Sequence, residues 1–283
     1  MDRHKCLACA ALVALTACAG GETAFAAPPA PGPSTADSVT IGLWHFDERS
    51  GARVHGSGPS RLNGVAGPDA RVEFGRFKSA RSFTATAQSF VVVPYNPVME
   101  SPRAFTVEAW VYLNDLSPYE LSAIAARWSP TSTDQSWVLG VVGQKGASTA
   151  LSSAFLEAVA PCATGRLVFA YRADVGGGVQ RACSSAALPM RRWVQVAATV
   201  DGEVVRIYVD GRLDAQVAVA NGIRRSLAPL AIGNAVDPRR LTDVSGELKQ
   251  LDGTSSSYAL NGLVDELRLS KVARKTFEST GVK

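Results

Sequence analysis

The sequence predicts an all-β protein, a two-sheet antiparallel β-sandwich, and three observations predict it. Apolar residues alternate at period two over strand-length segments, as in Phe105, Val107, Ala109, Val111 and Leu113 against Thr106, Glu108, Trp110 and Tyr112. Turn signals such as Asp201-Gly202 and Asp210-Gly211 separate these segments. No long helical pattern interrupts them, and short strands at regular spacing with such turns pack as two layers. With 283 residues, 46% hydrophobic and 19% charged, the chain is long enough to bury one large core.

The first element reads as an export signal. Arg3, His4 and Lys5 form a basic head, and Cys6 to Ala17 is apolar but too short to span a bilayer. Two processing routes compete. Ala24-Phe25-Ala26 is a small-x-small site, which gives a signal over 1–26. Leu15-Thr16-Ala17-Cys18 is similar to a bacterial lipobox, with Cys18 as a lipid anchor. Gly20 and Gly21, breaking the helix ahead of the small-x-small site, favour the first. Either route places the mature protein outside the cytoplasm, secreted or held at the cell surface. Residues 27–37 follow as a Pro-rich spacer with four prolines, an extended tether, so the folded domain is expected over 38–283.

Strands are then expected in order. Phe90 to Val93 is a β-branched run stopped by Pro94. Phe105 to Leu113 alternates. Asp115 to Ala126 has some helical spacing, but Pro118 near its start favours a short turn. Leu167 to Tyr171 and Val179 to Ala182 pair across a Gly-rich turn at 174–178. Trp193 to Val200 and Val204 to Val209 form a hairpin, followed by Leu213 to Val219, Ala231 to Gly233 and Leu263 to Leu269. Two irregular stretches, Gly143 to Gly165 and Asp237 to Ser257, read as functional rims or mobile insertions.

Cysteine usage fits an oxidising compartment. Cys6, Cys9 and Cys18 lie in the leader, which leaves Cys162 and Cys183 as a pair expected to form a disulfide. The formal charge of +4 is a mild excess without a basic run, so nucleic acid is not an expected partner. No segment beyond the leader is long and apolar enough for a transmembrane helix.

Four segments taken together resemble a known family: Trp44-His45-Phe46-Asp47-Glu48, Phe105 to Val111, Tyr208-Val209-Asp210-Gly211 and Asn261-Gly262-Leu263-Val264-Asp265-Glu266-Leu267-Arg268-Leu269. In this order they are similar to the bacterial laminin-G-like, concanavalin A-like lectin/glucanase jelly roll. The resemblance covers roughly residues 41 to 275. Val194 and Gln195 stand where such domains usually carry two histidines after an aromatic residue. It implies a jelly roll that acts as a non-catalytic recognition module for an extracellular glycan or, alternatively, a cell-surface protein. It also implies a structural Ca²⁺, with Asp265 as a ligand and Asp47 brought near it because the terminal strands pair; the alternative is that Asp265 only caps a turn.

Catalysis is not expected. Glucanases on this architecture are similar in a Glu-x-Asp-x-Glu strand, because their two carboxylates must face each other across the scissile bond. Here Glu108 stands alone on its strand, and the adjacent Asp265 and Glu266 are expected on opposite faces. His45 and His55 are the only histidines past the leader, and no Gly-x-Ser-x-Gly motif occurs. A cryptic hydrolase or lyase remains the third reading. For glycan stacking, Trp44, Trp110 and Trp193 read as packing within strands. Trp128 and Trp137, flanking the polar stretch Ser129 to Ser136, are the expected exposed platform, and Tyr258 beside the second irregular stretch joins them as a candidate.

Overall fold

A computed structural model describes residues 32–100, 103–145, 161–218, 222–244, 247–250 and 258–277. The strands are β1 (Thr40–Trp44), β2 (Arg53–Val54), β3 (Gly64–Ala66), β4 (Arg71–Phe74), β5 (Ser79–Thr84), β6 (Val91–Val93), β7 (Phe105–Asp115), β8 (Leu121–Trp128) and β9 (Gln135–Val142). They continue as β10 (Arg166–Arg172), β11 (Val179–Ala187), β12 (Trp193–Val200), β13 (Val204–Val209), β14 (Arg212–Ala218), β15 (Leu230–Ile232), β16 (Leu241–Val244), β17 (Glu247–Gln250) and β18 (Asn261–Ser270).

Two eight-stranded antiparallel sheets form the sandwich. The first runs β14-β13-β12-β7-β18-β5-β4, with β1 also on β18; the second runs β11-β10-β9-β8-β15-β6-β3-β2. The expected pairing of the terminal strands is present, Trp44 standing opposite Leu267 and Leu43 opposite Arg268. Between the sheets lies one continuous core that includes Trp44, Phe83, Phe105, Val107, Leu139, Phe169, Ile207 and Leu267. The expected signal leader, the expected lipobox at Cys18 and most of the expected tether fall outside the described residues. The end of the tether lies against the domain: Ser34 N donates to Glu266 at 2.8 Å, and Arg268 donates to the Thr35 carbonyl.

Two local expectations change. The segment after Asp115 turns through Leu116 to Glu120 and then enters β8, whose eight residues are all buried. Its partner β9 starts at Gln135, inside the stretch expected as a polar loop. Both strands pack on both faces, so neither shows the alternation that marks a half-exposed strand. Within the second irregular stretch lies the β16–β17 ribbon, and Leu241 and Leu248 pack on Phe90, Val92, Ala231 and Val236.

Candidate functional site

The expected aromatic platform is not formed. Trp137 is 2% exposed and lies in the central core, tilted against Phe105 at 4.9 Å between ring centres and stacked on Phe169 at 6.3 Å. Trp128 is 1% exposed in a second cluster on the outer side of β8, β9 and β10, with the Arg172 guanidinium 5.4 Å above its ring. Tyr258, 6% exposed, packs in that same cluster with Cys162 and Ala235. The physical reason is strand placement: once Gln135 to Val142 is a strand, Trp137 is an interior position rather than the edge of a loop. The expected disulfide is present, Cys162 bonded to Cys183 and tying the segment before β10 to β11.

Asp265 and Asp47 meet the same turn from two sides. β18 is long enough to pair with β5 through Asn261 to Val264 and with β1 through Leu267 to Ser270. Where the two partners abut, β18 bulges between Asp265 and Arg268, and Glu266 takes φ 53°. The bulge breaks strict alternation. Glu266 reaches His45 Nδ1 at 2.9 Å, while Asp265 accepts from Phe77 N at 2.9 Å. Asp47 is held by Lys78 Nζ at 2.9 Å. Phe46 and Lys78 also take left-handed φ, 56° and 46°, so three strained residues converge here. Gly75 is required by close approach, since a Cβ there would sit 2.6 Å from Asp265 Oδ2.

Burial pushes the Asp265 carboxyl up to about 7, against the N–H groups around it, with the Glu266 charge adding to the rise. Its Oδ1 makes no hydrogen bond of ordinary geometry. The hydrogen bond that His45 donates to the Glu266 carboxylate raises the pKa of His45 against its burial. For the expected Ca²⁺, that single orphaned oxygen is the one fitting feature. Asp47 is paired with Lys78, Glu266 is bound by His45 and Ser34, and among the described residues no three His, Cys, Asp or Glu side chains are grouped to hold a metal. The geometry is an ion-paired acid cluster rather than a formed oxygen cage.

A different aromatic residue reaches solvent in a concave surface. Tyr95, half-buried after β6, lines an open groove of about 530 Å³ together with Pro97, Glu100, Asp134, Arg225 and Leu227. That size falls in the range of about 300–1,000 Å³ typical of small-ligand sites. Three loops build the groove, and one buried side chain fastens two of them. Arg127 on β8 is 1% exposed. Its Nε donates to the Ala228 carbonyl, one terminal nitrogen to the Met99 carbonyl, and the other to Glu100 and the Ser226 carbonyl. The Tyr95 ring lies 5.6 Å over this guanidinium. Asp134 Oδ1 accepts from Leu227 N at 3.0 Å and so joins the third loop. Sequence reading missed the site because Tyr95 lies in a Pro-flanked turn and becomes a platform only when residues 130 positions later close the groove.

By fold, the chain is similar to the binding domain of Paraclostridial Mosquitocidal Protein 1, with a TM-score of 0.56 at 12% identity over 83% of this chain. The similarity spans about half, 49%, of that chain. It is also similar to domain 4 of AbnA, a GH43 extracellular arabinanase from Geobacillus stearothermophilus, solved in complex with arabinotriose. There the TM-score is 0.53 at 16% identity, over 86% of this chain and 96% of that one. The botulinum neurotoxin serotype D/C binding domain matches with a TM-score of 0.51 at 12% identity, over 83% of this chain and 49% of that one. No curated protein matches the sequence. The profile of the Laminin_G_3 family, the concanavalin A-like lectin/glucanases superfamily, matches residues 85–278, more than half of the chain. The chain therefore belongs to the Laminin_G_3 family.

Proposed function

We propose that the protein is an extracellular, non-catalytic carbohydrate-binding module and that the Tyr95 groove is its glycan site. The carrying observation is the groove itself: a half-buried ring stacked on a buried arginine, next to carboxylates and a cation able to bond hydroxyl groups. Sugar C–H faces stack on such a ring while Glu100, Asp134 and Arg225 address the hydroxyls. The similar arabinanase domain, solved with arabinotriose, supports a saccharide as ligand. The Cys162–Cys183 disulfide and the leader-like N-terminus support an extracellular setting, with secretion or lipidation at Cys18 as the route. The non-catalytic reading is supported by Glu108, which is buried and bonded to Arg268, and by Glu266, which His45 and Ser34 occupy.

A glycan screen of residues 27–283 tests the proposal. Tyr95→Ala is expected to weaken binding about tenfold, near the 0.5–1.5 kcal/mol of an aromatic contact, with the melting temperature unchanged. Unaltered glycan binding in this variant overturns the site. Release of reducing ends from a bound polysaccharide overturns the non-catalytic part. Calcium at Asp265 is a secondary proposal, supported by the orphaned Oδ1 and opposed by the Lys78 pairing of Asp47. Equal melting temperatures in calcium and in chelator reject it. The alternative, a cell-surface protein as partner, draws on one feature: Phe74 is 93% exposed at the end of β4, an edge strand. A module that binds no glycan but loses a surface partner on Phe74→Glu would be of that kind.

A further inference from the structure

We infer that the cleft between the open edges of the two sheets is an oxyanion-binding site, taking the carboxylate or sulfate group of an acidic saccharide. The saccharide part rests on the carbohydrate reading above; the oxyanion part does not.

β4 ends the first sheet and β2 ends the second, on the same side of the sandwich. Among the described residues neither edge strand has a further strand partner, and a cavity of about 330 Å³ is lined by residues next to both. Its walls are small residues of the 50–52 and 66–70 segments, together with three arginines, Arg49, Arg71 and Arg81, and no acidic residue lines it.

The three cations are unlike in kind. Arg81 sits mid-strand on β5 and is 1% exposed. One terminal nitrogen donates to the Gly51 and Ala70 carbonyls and the other to the Arg53 carbonyl, which fixes the plane of the guanidinium at the cavity wall. Its Nε makes no hydrogen bond, although buried. Glu48 offsets its charge from 3.5 Å and lines the neighbouring cleft. Arg49 and Arg71 are exposed, and among the described residues neither is paired with a carboxylate. Among the described residues the cavity therefore carries two positive charges without a carboxylate partner, beside a guanidinium that backbone carbonyls hold rigid. Guanidinium groups bind carboxylate and sulfate oxygens by paired, charge-assisted hydrogen bonds.

A bare ion does not account for the shape. The cavity adjoins a second open cleft of about 530 Å³ through Arg49 and Ser50, lined by His45, Arg53 and His55 and also by the carboxylates of Asp47 and Glu48, so hydroxyl groups rather than a second anionic group suit it. An anionic group anchored by the arginines leaves room for the rest of a sugar ring and for a neighbouring unit in the second cleft.

The test is calorimetry of residues 27–283 and of the double variant Arg49→Gln/Arg71→Gln, with an oligogalacturonate, a chondroitin sulfate oligosaccharide and inorganic sulfate as probes. Both substituted side chains are exposed, so the variant is expected to melt with wild type. The expected result is binding of one acidic oligosaccharide that falls at least tenfold in the variant, weakens with added salt, and persists in Tyr95→Ala. Sulfate binding lost in the variant without any saccharide binding would keep the anion site and overturn the saccharide. Unchanged binding in the double variant, or no binding of any of the three probes to wild type, would overturn the inference. Loss of neutral-glycan binding in Tyr95→Ala alone would leave the carbohydrate reading standing independently.

Discussion

Arg127 and Arg81 invite comparison. Each lies on a strand, Arg81 in the middle of β5 and Arg127 next to the last residue of β8, each is 1% exposed, and each stands beside a glutamate. Around Arg127 the loops close: Ala228, Met99 and Ser226 carbonyls and the Glu100 carboxylate take up all three nitrogens, and Tyr95 covers the plane. Around Arg81 they stay open: three carbonyls hold two nitrogens, Nε is left over, and the group borders a cavity with two exposed arginines. Equal burial thus gives two roles. A closed donor set makes an arginine a fastener of backbone, whereas an incomplete one beside a cavity makes it a wall for a ligand.

The largest expected effect breaks the fastener. Arg127→Ala removes the partner of Glu100 and leaves several buried carbonyls bare, so urea unfolding should show a loss of roughly 3–5 kcal/mol. Glycan binding should fall with it, because the Tyr95 groove loses its floor. Arg81→Met is expected to cost less, about 1–2 kcal/mol, since the adjoining cavity admits water to the abandoned carbonyls. Equal losses in the two variants would mean that Arg81 fastens backbone as Arg127 does.

The smallest effect sharpens it at the neighbouring bulge. Asp265, pushed up to about 7, binds a proton in the folded state that it releases in the unfolded state above about pH 3.9. Its unfavourable effect therefore grows as pH rises from about 4 to about 7. His45, with its pKa raised by Glu266, acts in the same direction: its stabilisation is complete below about pH 6.5 and is lost as pH rises through its folded pKa. Asp237 opposes at the acid end. Burial favours its neutral form, but Arg239 and Thr131 outweigh that and hold it down to about 2, so its stabilisation is lost as pH falls from about 4 toward 2. The melting temperature in chelator should thus be higher at pH 5.5 than at pH 8, and Asp265→Asn should flatten most of the difference. A flat wild-type profile over that range would mean that Asp265 and His45 do not couple folding to pH.

How much was legible depends on which side of a strand meets water. β7, β12 and β13 were readable because alternation or a tight Asp-Gly turn marks them. β9 was not, because both of its faces are buried and its apolar run blends into the polar residues before it. That one strand moved Trp137 from an expected platform into the core. Strand alternation did not announce the bulge between Asp265 and Arg268, which arises where β18 changes partner from β5 to β1, a fact of topology.

Local periodicity along the chain was enough for the all-β class and cysteine number beyond the leader-like segment for the disulfide partners, while the order of four segments carried the family resemblance, which in turn implied that the terminal strands pair. Tertiary structure alone decided which aromatic ring faces solvent, which arginine is closed in and which borders a cavity, and how the acids near Gly75 are shared. Those outcomes depend on groups far apart in sequence, such as Tyr95 with Arg225 or Arg49 with Arg71 and Arg81, whose approach is set by where loops close over the ends of the sheets.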